Sequence, residues 1–268
     1  MAPNIVLPKN FDITNVGFSD VKVLDNGGKI VYVSYNSAPL VMQTPPMVAP
    51  FGMSMWDNDG KQAPKYSLDL SFKAMDVSPQ LQTFYHVLEE LDRRLVDDGF
   101  ANQQTWFKGK KYGSRDIVEA LYTHLIKHAK DRETGERTDK YPPTFKLGVP
   151  FRDGAFVCDA FDDQRRTLNL NDIDTKGAKV TAIMQCTGLW FAGGKFGVSW
   201  RVVQMKVAPN STAIVGYAFR DDDEDEEDDV GANAGDVDEC DGGDSLVVDD
   251  DEGLPIVTKP TRRASKKH

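Results

Sequence analysis

The chain has 268 residues, 40% of them hydrophobic, with 32 Lys and Arg against 42 Asp and Glu, a net charge of −10. That is enough apolar material for one large core or two small ones. It excludes a bilayer-spanning helix, because no stretch approaches the roughly 18 apolar residues that a span needs.

The three cysteines, Cys158, Cys186 and Cys240, form no CxxC and no even-numbered framework. They suit a reducing intracellular compartment better than secretion. The opening MAPNIVLPKNFDIT has no charged start followed by an apolar run, so it does not read as a signal peptide. A soluble intracellular protein is expected.

Charge is unevenly placed. Asp221, Asp222, Asp223, Glu224, Asp225, Glu226, Glu227, Asp228 and Asp229 are nine consecutive carboxylates. Residues 221–268 hold 18 acids and 5 bases, a net of −13, and the remaining 27 bases and 24 acids give residues 1–220 a net of +3. A mildly basic body tethered to an intensely acidic arm implies attraction between them, with which an external polyanion would compete. The alternative is an arm that serves solubility alone. Its low-complexity, glycine-containing composition cannot bury enough apolar surface to fold by itself. Two domains follow: a folded body over 1–220 and a disordered acidic tail over 221–268.

Residues 11–41 read as strands, with a hairpin signal at Asn26-Gly27-Gly28 inside VKVLDNGGKIVYVSY. The next segment carries Pro39, Pro45, Pro46 and Pro50, which exclude a regular helix and leave edge strand or ordered loop. PKYSLDLSF alternates, placing Tyr66, Leu68, Leu70 and Phe72 on one face. Ser78 and Pro79 announce a helix whose apolar stripe runs Leu81, Phe84, Tyr85, Leu88, Leu91 and Leu95, with Gly99 marking its end. A second helix is expected after Ser114, carrying Ile117, Val118, Leu121, Leu125 and Ile126. DRETGERTDK reads as a loop. TFKLGVPF and GAFVCDAF return to strands, and 179–191 with 195–207 flank Gly193-Gly194 as a long hairpin. Many strands with one or two inserted helices define a mainly β (α+β) fold or an antiparallel barrel.

Signals for catalysis are weak. His124 and His128 are spaced i, i+4, yet the zincin glutamate position holds Leu125. A partly exposed helix face is the competing reading of that pair. There is no GxGxxG, no GxxxxGK[ST] and no GxSxG. No enzyme, cofactor or metal is expected.

Basic and aromatic residues interleave three times, the combination that holds an unpaired strand by its phosphates and its ring faces. Trp106, Phe107 and Tyr112 lie among Lys108, Lys110, Lys111 and Arg115; Phe145 and Phe151 among Lys146 and Arg152; Trp190, Phe191, Phe196 and Trp200 among Lys195 and Arg201. Each cluster alone also fits an ordinary strand edge with solvated lysines. Adjacent strand residues such as Trp190 and Phe191 face opposite ways, so one packs while the other is free to meet a base.

The strings PLVMQTPPMVAPFGMSMW, KYSLDLSF and LWFAGGKFGVSWRVVQMKV, followed by the acidic tail, resemble the single-stranded DNA-binding proteins of short-tailed phages and, more closely, their counterparts in nucleocytoplasmic large DNA viruses. The resemblance covers about residues 11–210. It implies an OB-fold-like antiparallel barrel with an inserted helix. It further implies sequence-nonspecific single-stranded DNA binding in viral DNA replication, recombination or repair. The tail would shield the groove and engage replication proteins such as a DNA polymerase or helicase-primase, and the family suggests a homodimer. By order along the chain it places Phe145, Lys146 and Arg152 on one groove strand and Trp190 and Lys195 on the last hairpin. The phage tails end in an aromatic residue, whereas this chain ends in RRASKKH. KPTRRASKKH reads either as a nuclear import signal or as a basic end folded back on the acidic arm. The site is accordingly a viral replication site or the host nucleus. Rival readings are an acidic chaperone of basic proteins such as histones, a metal-dependent nuclease or hydrolase on His124 and His128, and a structural virion component.

Overall fold

The computed structural model describes residues 4–25, 27–57 and 63–208. The domain boundary at 220, the acidic run, Cys240 and the basic terminus lie outside the described residues.

Short strands open the chain: β1 (Ile5–Val6), β2 (Val16–Phe18), β3 (Lys22–Val23) and β4 (Lys29–Val31). β3 and β4 pair as the expected hairpin, and Gly27 takes the left-handed φ of +79° that its turn needs. β5 (Val33–Tyr35) follows, and the proline-rich stretch is cut into β6 (Ala38–Pro39), β7 (Val41–Gln43), β8 (Met47–Val48) and β9 (Met53–Trp56). Pro45 and Pro46 have no N–H to give a ladder. Thr44 bridges the gap: its N–H donates to the Ala182 carbonyl at 2.8 Å, and its Oγ1 accepts from the Ala182 N–H at 3.0 Å. β10 (Lys65–Ser71) alternates as its sequence requires, with Leu68 and Leu70 fully buried.

Helix α1 (Pro79–Ala101) starts where the cap signal puts it, Ser78 Oγ accepting from the Leu81 N–H at 3.4 Å. Its stripe of Leu81, Phe84, Leu88, Leu91 and Leu95 is buried, each side chain contributing about 1.5–3 kcal/mol. Gly99 does not end the helix. It lies inside it, because a Cβ there would come within 3.0 Å of the Phe196 ring; the glycine serves close approach, not capping. α2 (Gln103–Trp106) and α3 (Arg115–Leu121) follow.

The second helix is shorter than expected. After Leu121 the chain becomes extended as β11 (Tyr122–Thr123) and β12 (Ile126–Lys127), which pair with later strands. The buried Asp92 carboxylate of α1 captures the Tyr122 hydroxyl at 2.7 Å and the Leu125 N–H at 3.1 Å, holding the segment out of the helical path.

The last strands are β13 (Thr144–Val149), β14 (Phe151–Arg152), β15 (Ala155–Phe156), β16 (Asp159–Phe161), β17 (Thr167–Leu168), β18 (Lys179–Ala192) and β19 (Lys195–Ala208). β18 and β19 form the long hairpin, turning at Gly193 (φ +57°) and Gly194 (φ +81°). Hydrogen-bonded neighbours run β18–β8–β10–β13–β19 and back to β18, so five strands close a ring. Its interior holds Leu70, Phe145, Leu147, Met184, Trp200 and Val202. Phe84 of α1 meets Phe72 and Phe145 at ring separations of 5.9 and 5.7 Å, joining helix to core. The fold is mostly β, with three α-helices among the described residues. None of those helices is long and apolar enough to cross a membrane.

Candidate nucleic-acid interface

Strand register assembles a surface that no single segment contains. Residues directly opposite across a sheet share a face. Gln185 pairs with Arg201, Arg201 with Gly148, Gly148 with Ser67 and Ser67 with Ser54. That row crosses four strands of the ring and β9 beside them on the outer face, about 19 Å at the usual interstrand spacing of about 4.8 Å. Its middle is floored by short side chains, which leave the backbone accessible. On the same face Lys146 lies opposite Asp69, and Lys65 opposite Trp56. Lys127 lies opposite Thr144 at one end. A second row, Ile30–Trp190–Gly197–Thr123, continues the face toward the hairpin tip.

The face is electropositive at close range. Lys146 Nζ sits 3.3 Å from Asp69 Oδ2 and 3.4 Å from Ser67 Oγ. Burial pushes the Lys127 ammonium below its ordinary range, the nearby Lys146 charge pushes the same way, and Asp69 opposes both. One carboxylate therefore serves two ammonium groups. Arg201 Nη2 donates to Gln185 Oε1 at 3.1 Å, which aims the guanidinium along the row. Lys65 Nζ lies 5.2 Å from the centroid of Trp56, a cation over a half-buried ring.

The residues expected from sequence divide in three. Lys146, Arg201 and Trp190 share the outer face. Phe145 does not belong with them: it is fully buried, packed on Phe84 and Trp200, because its place in the alternation of β13 points it inward. It is a core residue and cannot stack on a base. Lys108, Lys110 and Lys111 are exposed on the turn after α2. Their neighbour Phe107 packs on Phe191 and Phe196, on the side of the β18–β19 hairpin opposite Trp190. Lys195 is exposed beside the Gly-Gly turn, and Arg152 is exposed on the β14–β15 hairpin next to the Tyr66–Phe151–Phe156 ring cluster. Sequence reasoning missed Trp56, Lys65 and Lys127. For Lys65 a signal existed: the period of two that buries Leu68 and Leu70 puts Lys65, Ser67 and Asp69 on the other face.

His124 and His128 do not share a helix face, since α3 ends at Leu121. His124 Nδ1 lies 3.4 Å from Asp92 Oδ2 at the edge of a cleft of about 380 Å³ between α1 and α3. The hydrogen bond to Asp92 raises the His124 imidazole above its ordinary value against partial burial, and the Asp92 and Glu119 charges add to the rise. Burial and the Arg137 charge lower His128. Burial, and then the charge of Asp92, raise the Tyr122 phenol well above its ordinary value. Arg115 is held by Asp97 at 2.6 Å and Glu119 at 2.5 Å. Among the described residues no three His, Cys, Asp or Glu side chains group as a metal site does.

Fold and face together define a mainly β protein with inserted helices and a basic, tryptophan-bearing outer sheet surface. The chain belongs to the family of unknown function DUF5871, whose model matches residues 68–221. It is 23% identical over 172 residues to the uncharacterized protein L291 of Acanthamoeba polyphaga mimivirus. The match takes in 62% of this chain, which spans about a quarter (26%) of that relative's length. Among solved structures it is similar to gp2.5, a single-stranded DNA-binding protein encoded by bacteriophage T7, at 12% identity and a TM-score of 0.38, covering 66% of this chain and 98% of that one. The single-stranded DNA-binding protein from bacteriophage Enc34, in complex with single-stranded DNA, matches at 12% identity and a TM-score of 0.36, covering 72% and 96%. Both likenesses are too loose to carry an argument about the ligand, which rests on the face itself.

Proposed function

We propose that the protein binds single-stranded DNA without reading its sequence, using the outer face of an OB-fold-like barrel. The carrying observation is the row Gln185–Arg201–Gly148–Ser67–Ser54, with Lys146, Lys127 and Lys65 beside it and Trp190 and Trp56 on the same face. Phosphates neutralise the cations, and unpaired bases lie on the indoles, each stack contributing about 1–3 kcal/mol. Gly148, Ser67 and Ser54 present little that could read a base edge, which favours nonspecific binding. A duplex hides its bases and gains only the phosphate contacts.

The acidic run from Asp221 to Asp229 supplies an internal competitor, a net of −13 over residues 221–268 against +3 for the remainder. Displaced by DNA, the tail becomes available to replication proteins, in keeping with a role in viral DNA replication, recombination or repair. A homodimer belongs to the same reading. Anisotropy of a labelled dT oligomer, a mixed-sequence oligomer and a duplex tests the binding reading. Similar affinities for the two single strands and a much weaker one for the duplex are expected. Equal affinity for all three reduces the protein to a nonspecific polyanion binder, and no binding ends the reading. A chain ending at Arg220 is expected to bind more tightly at low salt, and unchanged affinity would remove the tail from the mechanism.

A further inference from the structure

Gly197 lies between Trp190 on β18 and Thr123 on β11, directly opposite both. A Cβ at Gly197 would sit 2.7 Å from Trp190 Cζ2, 3.0 Å from Trp190 Cε2 and 3.2 Å from Thr123 Cβ. The indole therefore lies across the glycine, with its Cε2–Cζ2 bond where a Cβ would stand. The backbone does not ask for glycine here: Gly197 is absent from the positive-φ positions, unlike Gly188 at +127° or Gly193 at +57°. A glycine in mid-strand loses more conformational freedom on folding than any other residue and packs nothing itself. The requirement that remains is room for the ring.

The other wall is fixed from below. Thr123 belongs to the segment that Asp92 clamps through the Tyr122 hydroxyl and the Leu125 N–H, so its distance from the hairpin is set by α1. Phe191, next to Trp190, is locked on the opposite face, parallel to Phe196 at 6.1 Å. The strand cannot rotate without unpacking that cluster. Trp190 is half-buried, and among the described residues no ring stacks on it and no cation covers it, in contrast to Trp56 under Lys65.

We infer that Gly197 is a positioning residue that seats Trp190 across the strand, turning its outer ring face into a preformed platform for one unpaired base. The inference rests on the single-stranded DNA reading and names the subsite within it. Holding the ring in place before DNA arrives removes the ordering cost from the binding step.

The test is a double-mutant cycle on the full-length chain with a labelled dT oligomer at fixed salt. Trp190→Ala is expected to weaken binding about tenfold, the order of one lost base stack. Gly197→Ala lifts the ring and is expected to weaken binding about three- to tenfold, and in the Trp190→Ala background it adds nothing. In the absence of DNA, the emission component that Trp190→Phe removes is expected to shift in Gly197→Ala.

A pair that merely shields the backbone would couple in melting temperature and not in affinity, which overturns the inference. Wild-type affinity in Gly197→Ala overturns it as well, as do losses that multiply in the double variant. If Gly197→Ala fails to fold, the sheet and not the ring has yielded, and the inference falls with it. If the wild-type chain ignores oligo-dT altogether, the functional reading fails by itself, and the emission comparison still decides whether the glycine seats the ring.

Discussion

Removal of Arg201 probes the row at its one cation. The face carries Lys65, Lys127, Lys146 and Arg201, with Asp69 partly neutralising Lys146 at 3.3 Å. Between three and four phosphates are then neutralised, and at roughly −0.7 per contact on a single strand the slope of log affinity against log salt is about −2 to −3. Arg201→Ala is expected to flatten that slope by about 0.7. It also removes a charge-assisted hydrogen bond of about 1.5–3 kcal/mol, of which half-exposure leaves the lower end, near a tenfold loss at low salt. The folding cost is small, because among the described residues Arg201 gives up only its bond to Gln185, a half-exposed partner that water can satisfy. Anisotropy with a labelled dT oligomer from 50 to 300 mM salt (roughly the span over which such slopes are read) measures the change, with thermal melting as the control. An unaltered slope with a folded variant would refute the assignment of the row as the phosphate track.

Simultaneous alanines at Lys108, Lys110 and Lys111 are expected to change affinity less than Arg201→Ala alone, since that turn lies across the hairpin from Trp190; the same anisotropy series decides. Asp92→Ala leaves the Tyr122 hydroxyl and the Leu125 N–H without their buried acceptor, so urea denaturation should show a loss of about 2–4 kcal/mol. His124 is raised in the fold, so its stabilising contribution is complete below the unfolded value of about 6.5 and disappears as pH rises through the folded value. Melting temperature should therefore drop from pH 6 to pH 8 by a component that His124→Gln removes. His128, lowered by burial, acts in the opposite sense, and His128→Gln should steepen the drop. Gly52→Ala forces a side chain into φ +68° and a Cβ to 2.8 Å from the Lys176 nitrogen, and should lower the melting temperature by several degrees.

Local physics was legible wherever it acted locally. The Ser78-Pro79 helix start, the alternation of β10 and the Gly193-Gly194 hairpin all follow from residues within a few positions of one another. The extended course of Tyr122–Lys127 was not legible, because apolar residues at helical spacing continue through Leu125 and Ile126. What overrides them is a carboxylate about thirty residues upstream, at Asp92. Phe145 and Lys146 looked like one basic-aromatic pair, yet strand alternation sends them to opposite faces. The outer row was hidden for a different reason. Arg201, Gly148, Ser67 and Ser54 come from four strands, and only register, which no local pattern states, puts them side by side. Of the two tryptophans of the face, Trp190 was named from the resemblance, whereas Trp56 was told apart from the buried Trp106 and Trp200 only by the fold.

The location of the bound strand is open to one direct measurement: photocrosslinking of a bromodeoxyuridine-substituted dT oligomer to the full-length protein, with the crosslinked peptides read by mass spectrometry. Crosslinks at Trp190 and Trp56, lost on addition of excess unlabelled oligo-dT, are the predicted result. Crosslinks confined to the Lys108–Tyr112 turn or to the β14–β15 hairpin, with none on the outer face, would contradict it.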